Sequence, residues 1–246
     1  MGSSRFPGKP LATLLNLELV LHVYERCRVS KNLDRVAIAT CDTEIRAVCE
    51  AYGAEVIMTR DDHPGAVDRS AEVVELIGQD LGDDDLVLMV QGDEVLVGPD
   101  MIDPIVEAFN PSLAPVVNLA SPIQDDAEHD DSNVVKVVAA PDGRALYFSR
   151  AAIPSRTRQT HPALLQQTGV IGFSKSFLQT FLNLNRTPLE ITEGIDMLRA
   201  LEHGYDIQIV AAPRRTIGVD TPDDLRRAEK ILGSDPLTAT YLKEAQ

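Results

Sequence analysis

Two acids far apart in the chain could share one metal ion. Asp93 lies in Gln91-Gly92-Asp93-Glu94, at the end of the apolar run Leu-Val-Leu-Met-Val-Gln over residues 86–91. So apolar a run reads as a strand covered on both faces, and ligands of open α/β sheets gather beyond the carboxyl ends of such strands. Asp220 follows a short extended run and precedes a helix start, so it could supply a second carboxylate. Hard oxygen donors with open positions suit Mg²⁺, which keeps waters and shares substrate phosphates. Asp93 fits a plain turn as well. Asp220 fits a helix cap, a role for which Thr221-Pro222 competes.

The chain opens Met1-Gly2-Ser3-Ser4-Arg5-Phe6-Pro7-Gly8-Lys9-Pro10-Leu11. Small residues let backbone N–H groups approach an anion, and Arg5 and Lys9 add charge that can grip a triphosphate. The loop lacks the spacing of a P-loop, and on composition alone it fits a loose basic terminus equally well. Other chemistry is weakly signalled. Cys27, Cys41 and Cys49 match no metal spacing, and Cys41 is expected as a buried structural thiol. The five histidines are scattered without zinc spacing. Asp83-Asp84-Asp85 precedes a strand rather than ending one, so it reads as a solvated turn.

Short β-branched runs alternate with amphipathic segments. Strands are expected at 35–40, 55–59, 86–91 and 113–119, and helices at 42–52, 67–79 and 100–109. This rhythm implies a mostly parallel sheet with crossover helices. Then the pattern changes. Residues 133–139 and 144–149 flank Asp142-Gly143 as a hairpin, and 167–173 is a further strand. Two helices follow, the second at 190–201, then a strand at 207–211 and a helix at 221–232 opened by Thr221-Pro222-Asp223. Residues 121–131 read as an acidic loop, and the tail after Ser234 as loosely ordered.

The sequence has 246 residues, 44% of them hydrophobic, and a net charge of −15. That size and hydrophobicity suit a single globular domain over 1–246. The charge argues against a nucleic-acid partner, because phosphate neutralisation needs a cationic surface. No apolar run spans a bilayer and no leader pattern opens the chain, so a cytoplasmic protein without a membrane partner is expected.

Several segments together resemble one family. They are the opening loop; His22-Val23-Tyr24-Glu25-Arg26; His63 through Asp68-Arg69 with Ala71-Glu72; Val90 to Glu94; and Asn133-Val134-Val135-Lys136-Val137. Ala145 to Arg150 with Ile153-Pro154, Pro188-Leu189-Glu190, and Gly218 to Leu225 complete the series. In this order, over nearly the whole chain, they resemble the 3-deoxy-manno-octulosonate (Kdo) cytidylyltransferases. The resemblance implies an α/β, Rossmann-like nucleotide-diphospho-sugar transferase fold. Its sheet would be mostly parallel, with a small mixed-sheet extension at about 120–175 for sugar binding and dimerisation.

The implied activity is transfer of CMP from CTP to an acidic sugar, releasing pyrophosphate, with Mg²⁺ on Asp93 and Asp220. Lys9 joins these two as a catalytic candidate. Ser4, Arg5, Lys9, Asp68 and Arg69 would contact the nucleotide. Gln91, Arg150, Arg156, Gln167, Glu190 and Asp196 are the sugar-binding candidates; the two arginines could equally balance the acidic surface. The inherited partners are CTP, an acidic sugar and a second copy of the chain. Alternatives are a cytidylyltransferase for another sugar acid, such as a nonulosonic acid, and a catalytically silent nucleotide-binding homologue.

Three departures accompany the resemblance. The family has an apolar strand ending in Pro-Ala-Arg ahead of the loop, and this sequence begins inside the loop; upstream coding sequence is expected to supply it. Without that strand two neighbouring strand edges would lack a partner. The family's His-Leu-Gly-Ile-Tyr-Gly-Tyr is Gln167 to Phe173 here, and its Leu-Glu-Gln-Leu-Arg is Ile195 to Arg199. Such changes in polar groups can redirect sugar choice, so amino-Kdo analogues stay open. Finally, Ser-Gly-Thr-Asp/Glu-Arg becomes Pro64-Gly65-Ala66-Val67-Asp68-Arg69, with loss of the threonine hydroxyl.

Overall fold

The computed structural model describes residues 6–158 and 163–242. A 3-10 turn, Lys9–Leu11, precedes the hairpin β1 (Thr13–Leu14) and β2 (Leu17–Glu18) and the helix α1 (Leu19–Arg28). Next come β3 (Ile38–Thr40), α2 (Thr43–Tyr52), β4 (Val56–Met58), α3 (Ala66–Ile77), β5 (Leu86–Val90) and α4 (Pro99–Ala108). The middle of the chain forms β6 (Val116–Pro122), α5 (Asp126–Asp130), β7 (Lys136–Ala139), β8 (Ala145–Ser149) and β9 (Leu165–Ser174). It closes with α6 (Lys175–Asn183), α7 (Pro188–Glu193), α8 (Met197–Glu202), β10 (Ile207–Ala211), α9 (Pro222–Leu232) and α10 (Pro236–Leu242).

These elements form two compact units. The first takes the described residues up to Gln79, Val90–Asp103 and those from Thr216 onward. Its β3 and β4 pair in parallel, Ile38 opposite Val56 and Thr40 opposite Met58. Local chemistry sets the helix ends: the Asp42 carboxylate caps α2 by accepting from Glu44 N, and Gly53 closes it in the left-handed region at φ 96. Val20, Leu21 and Tyr24 of α1 pack with Ile38, Ile45, Cys49 and Tyr241 in one buried cluster. The tail is therefore part of the core, not loose: Tyr241 of α10 is buried and its hydroxyl meets His22 Nδ1 at 2.7 Å. Arg26, fully buried, joins α1 to the loop after β5 through Val97 O (2.6 Å), to Asp235 (2.7 Å) just before α10 and to Thr238 (3.2 Å) within it.

The second unit holds Asp80–Met89 and Pro104–Arg215. Its sheet has the order β10-β6-β9-β7-β8, with β5 also on β9. β10 and β6 are parallel, whereas β6–β9, β9–β7 and β7–β8 are antiparallel. The sheet is thus mixed rather than mostly parallel. The cause is β9, which returns antiparallel between β6 and β7. Close packing explains one of its glycines: a Cβ on Gly172 would lie 2.6 Å from a Leu86 methyl and 2.7 Å from one of Val117. Among the described residues β3 has β4 as its one strand partner and β5 has β9.

Two other expectations change. Residues 126–130 form the short helix α5, capped by the Asp125 carboxylate, inside the expected acidic loop. The single helix expected at 190–201 is two, because Gly194 turns left-handed at φ 65 and ends α7.

Candidate active site

The first unit brings Lys9, Asp93 and Asp220 together. Gly8, at φ 74, bends the chain into the 3-10 turn that starts with Lys9, and Leu11 N closes it on Gly8 O at 3.0 Å. Asp93 sits in the turn after β5, where Glu94 N donates to Gln91 O and Val95 N to Asp93 O. Val219 N also donates to Asp93 O at 3.2 Å, and Glu94 bridges Gly218. This backbone stitch carries residue 220 to residue 93. The side chain capping α9 is Thr221, in a capping box with Asp224, so Asp220 is not the helix cap.

Lys9 Nζ then donates to Asp93 Oδ2 at 2.6 Å and to Asp220 Oδ1 at 3.1 Å. Burial opposes the ammonium charge, but the two carboxylates outweigh it together and hold the Lys9 pKa above its ordinary value. One cation between two carboxylates is also the test of fit for a metal. The two acids already converge on a point that accepts positive charge, with oxygen donors only. No group of three or more His, Cys, Asp or Glu side chains suited to a metal occurs among the described residues. A metal here would therefore take its remaining ligands from water or phosphate, the habit of Mg²⁺.

Asp68 and Arg69 fall in the first turn of α3, whose N-cap is Gly65. Arg69 donates to Thr59 Oγ1 and to Arg60 O (3.2 Å), and its Nη2 lies 3.7 Å from Cys41 Sγ. Thr59 and Cys41 each follow one of the parallel strands, so Arg69 is held at the carboxyl ends of β4 and β3. Cys41, expected to be buried, is exposed there; the buried thiols are Cys27 and Cys49. Burial pushes these two up to about 12 and about 11. His63 donates to Glu72 and holds that carboxylate below its usual range, while Arg60 N ties it from the β4 side at 3.0 Å. Gln91 is exposed. Ser4 and Arg5 lie outside the described residues.

The remaining candidates are in the second unit. Arg150 is tethered through its backbone: Arg150 N donates to Glu193 Oε2 (2.8 Å) and its carbonyl accepts from Lys136 Nζ (2.7 Å). Its guanidinium meets the backbone carbonyls of Glu193 (2.7 Å) and Ser132 (3.1 Å) and, among the described residues, no carboxylate. Arg156 differs, since Asp126 (2.5 Å) and Asp130 (2.6 Å) of α5 neutralise it. Gln167 donates to Asn118 Oδ1 at 2.8 Å, and Asn118 Nδ2 in turn donates to Thr168 O and Val170 O. These amides stitch the register shift between β6 and β9.

Glu190 departs furthest from expectation. It is 1% exposed, and its carboxylate is taken up by Arg199, Arg186 and Thr187 N. Burial raises its pKa, yet the Arg199 hydrogen bonds lead a set of partners that bring it below the usual carboxylate range. A buried carboxylate so engaged braces the start of α7 against α8 and has no face to offer a sugar. Asp196 is half-buried at the N-cap of α8.

Residues 1–207 match the model of a family described as cytidylyltransferase. The chain belongs to the cytidylyltransferase family. A 3-deoxy-manno-octulosonate cytidylyltransferase of Syntrophobacter fumaroxidans is 43% identical over 240 residues, covering 96% of this chain and 95% of that protein. The corresponding protein of Syntrophotalea carbinolica is 44% identical with 94% coverage of each. An 8-amino-3,8-dideoxy-manno-octulosonate cytidylyltransferase of Shewanella amazonensis is 40% identical, covering 95% and 96%. Among solved structures, a CMP:2-keto-3-deoxy-manno-octonic acid synthetase complexed with CTP superimposes with TM-score 0.86 at 31% identity, covering 94% of each chain.

In this cytidylyltransferase the structure adds residues that the motifs did not single out for roles. Thr59 and Cys41 support Arg69, and Lys136 and Glu193 support Arg150. Lys136 carried a signal: a lone lysine inside Val134-Val135-Lys136-Val137-Val138 has to bury its charge or leave the sheet. It is buried, its ammonium held by the carbonyls of Asp131, Val134 and Arg150 at 2.6–2.7 Å, and burial lowers its pKa.

Proposed function

We propose that this cytidylyltransferase transfers CMP from CTP to Kdo or a closely related 2-keto-3-deoxy sugar acid, releasing pyrophosphate, with Mg²⁺ as its metal. The observation that carries the proposal is the meeting of Asp93 and Asp220 on one cation, in a chain with Kdo cytidylyltransferase relatives over almost its full length. Asp93 and Asp220 would hold the metal, which when bound screens the α-phosphate and makes the attacking sugar hydroxyl more acidic. Lys9 and Arg5 would hold the β- and γ-phosphates and stabilise the leaving pyrophosphate. Asp68 and Arg69 would face the nucleotide and Gln91 the sugar. Arg150, whose guanidinium hydrogen-bonds backbone carbonyls while the Glu193 carboxylate is held on its backbone N–H, would receive the sugar carboxylate. Such a transfer rests on positioning and charge neutralisation more than on a covalent intermediate.

The 8-amino-3,8-dideoxy acid is the second substrate reading, favoured by relatives at 39–40% identity that carry that activity in their names. We also propose a homodimer built on the extension at about 120–175. Its edge strand β8 exposes Leu146 to solvent, which supports that reading. The free thiols suit a cytoplasmic setting. No helix among the described residues is long and apolar enough to cross a membrane.

Pyrophosphate release in CTP and Mg²⁺ with a panel of Kdo, its 8-amino analogue and nonulosonic acids tests the function. Release with Kdo or its amino analogue is expected; release with a nonulosonic acid alone would redirect the assignment, and silence with tight CTP binding would favour a binding protein. Asp93→Asn should lower kcat/KM by about 3 kcal/mol or more, upward of a hundredfold. Turnover near that of the unaltered enzyme would refute the metal assignment.

A further inference from the structure

We infer that Lys9 is an internal counter-cation that holds the Asp93 and Asp220 carboxylates together until nucleotide phosphates draw it away and a divalent cation takes its place. The inference rests on the proposed metal site and adds an exchange to it. Two carboxylates directed at one point repel each other unless a cation lies between them. Among the described residues the Lys9 ammonium is a cation in contact with both. A divalent ion seated on Asp93 Oδ2 and Asp220 Oδ1 would meet the ammonium at contact distance, where two positive charges repel. The ammonium and the metal therefore compete.

The local structure is built for such an exchange. The Lys9 backbone is fixed by the left-handed Gly8 and the 3-10 turn, with Pro10 next in line. The charge itself sits on a flexible four-carbon stem that can swing without moving the turn. The Lys9 side chain is 13% exposed whereas that of Asp220 is 42% exposed, so the pair is reachable from the Asp220 side. With two protein carboxylates and a resident competitor, the site should hold a divalent ion weakly on its own. Nucleotide phosphates change both conditions, since they add oxygen ligands and offer the ammonium a new partner.

Mn²⁺ binding, read from the loss of the free-ion electron paramagnetic resonance signal without sugar, tests the exchange apart from catalysis. The unaltered protein alone should bind Mn²⁺ weakly, and Lys9→Met alone about tenfold more tightly. Lys9→Arg, which keeps the charge, should stay weak. Added CTP, after subtraction of the Mn²⁺ that the same CTP binds without protein, should tighten the unaltered protein much more than Lys9→Met. Should Lys9→Met fail to fold by circular dichroism, Lys9→Gln, a neutral donor between the same carboxylates, must show the same gain. If CTP tightens Mn²⁺ on the unaltered protein but neither neutral variant gains affinity, the exchange is overturned and the metal site stands. If no form binds Mn²⁺ even with CTP, both are overturned.

Discussion

At the scale of single residues, what decides a side chain's role here is whether its charge is already satisfied. Glu190 and Asp93 are both acids next to motifs, but Asp93 faces one shared ammonium whereas Glu190 is buried under two arginines. Removing the Glu190 charge would take a carboxylate at hydrogen-bond distance away from the Arg199 guanidinium, itself nearly buried and stacked 4.3 Å from the Phe181 ring. Glu190→Gln should therefore destabilise the fold by about 3 kcal/mol, the lower end of the cost of breaking a buried pair. Urea melts would register that loss, and the KM for sugar of the remaining folded protein should hardly move. A large rise in that KM at unchanged stability would return Glu190 to the sugar site. Residue types and spacing offered Lys9, Asp93 and Asp220 only beside a loose terminus, a turn and a helix cap; the family resemblance singled them out, and the structure places their charged groups in contact. Type and spacing could not separate Arg150 from Arg156. That difference depends on α5, whose acids neutralise Arg156 and which no periodicity announced.

At the scale of elements, sequence periodicity located most strands and helices but not the partners that set their direction. β10 was legible to the residue, and α2 and α9 to within their caps, since alternation and capping are local. The antiparallel return of β9 and the docking of α10 depend on distant contacts. For α10 the contact is polar and testable. His22 is wholly buried between Tyr241 Oη and Leu14 O, at 2.7 and 2.8 Å, so the neutral ring donates to the carbonyl and accepts from the hydroxyl. Burial, aided by the Arg26 charge and opposed by the Leu14 hydrogen bond and Glu18, lowers its pKa below the ordinary 6.5. Below that ordinary value the unfolded chain takes up a proton that the folded chain refuses. The His22 contribution is therefore complete above about pH 6.5 and is lost as pH falls below it. The urea midpoint should drop from pH 7.5 to pH 5, and His22→Gln, though less stable throughout, should show a smaller drop. Equal drops in both proteins would show that the pH dependence does not come from His22.

At the scale of the whole molecule, an acidic chain has to admit anionic substrates. The net charge is −15, and both CTP and a sugar acid carry negative charge under the proposed reaction. The cations proposed to receive them, Lys9, Arg69 and Arg150, would act at contact distance, where salt screens little. The surplus acids act from farther away, where screening matters. The Debye length shrinks from about 30 Å at 0.01 M ionic strength to about 8 Å at 0.15 M. Raising salt over that range should thus remove the long-range repulsion while leaving the contacts largely intact, and the rate of CTP association should increase. An enzyme that steers its anion with a basic surface would do the opposite. Stopped-flow association of CTP, measured from 0.01 to 0.15 M monovalent salt at constant free Mg²⁺, distinguishes the two. A rate constant that falls steadily with salt would mean that the local cations, Arg5 included, set the field felt by the approaching nucleotide and that the −15 belongs to surfaces it never approaches.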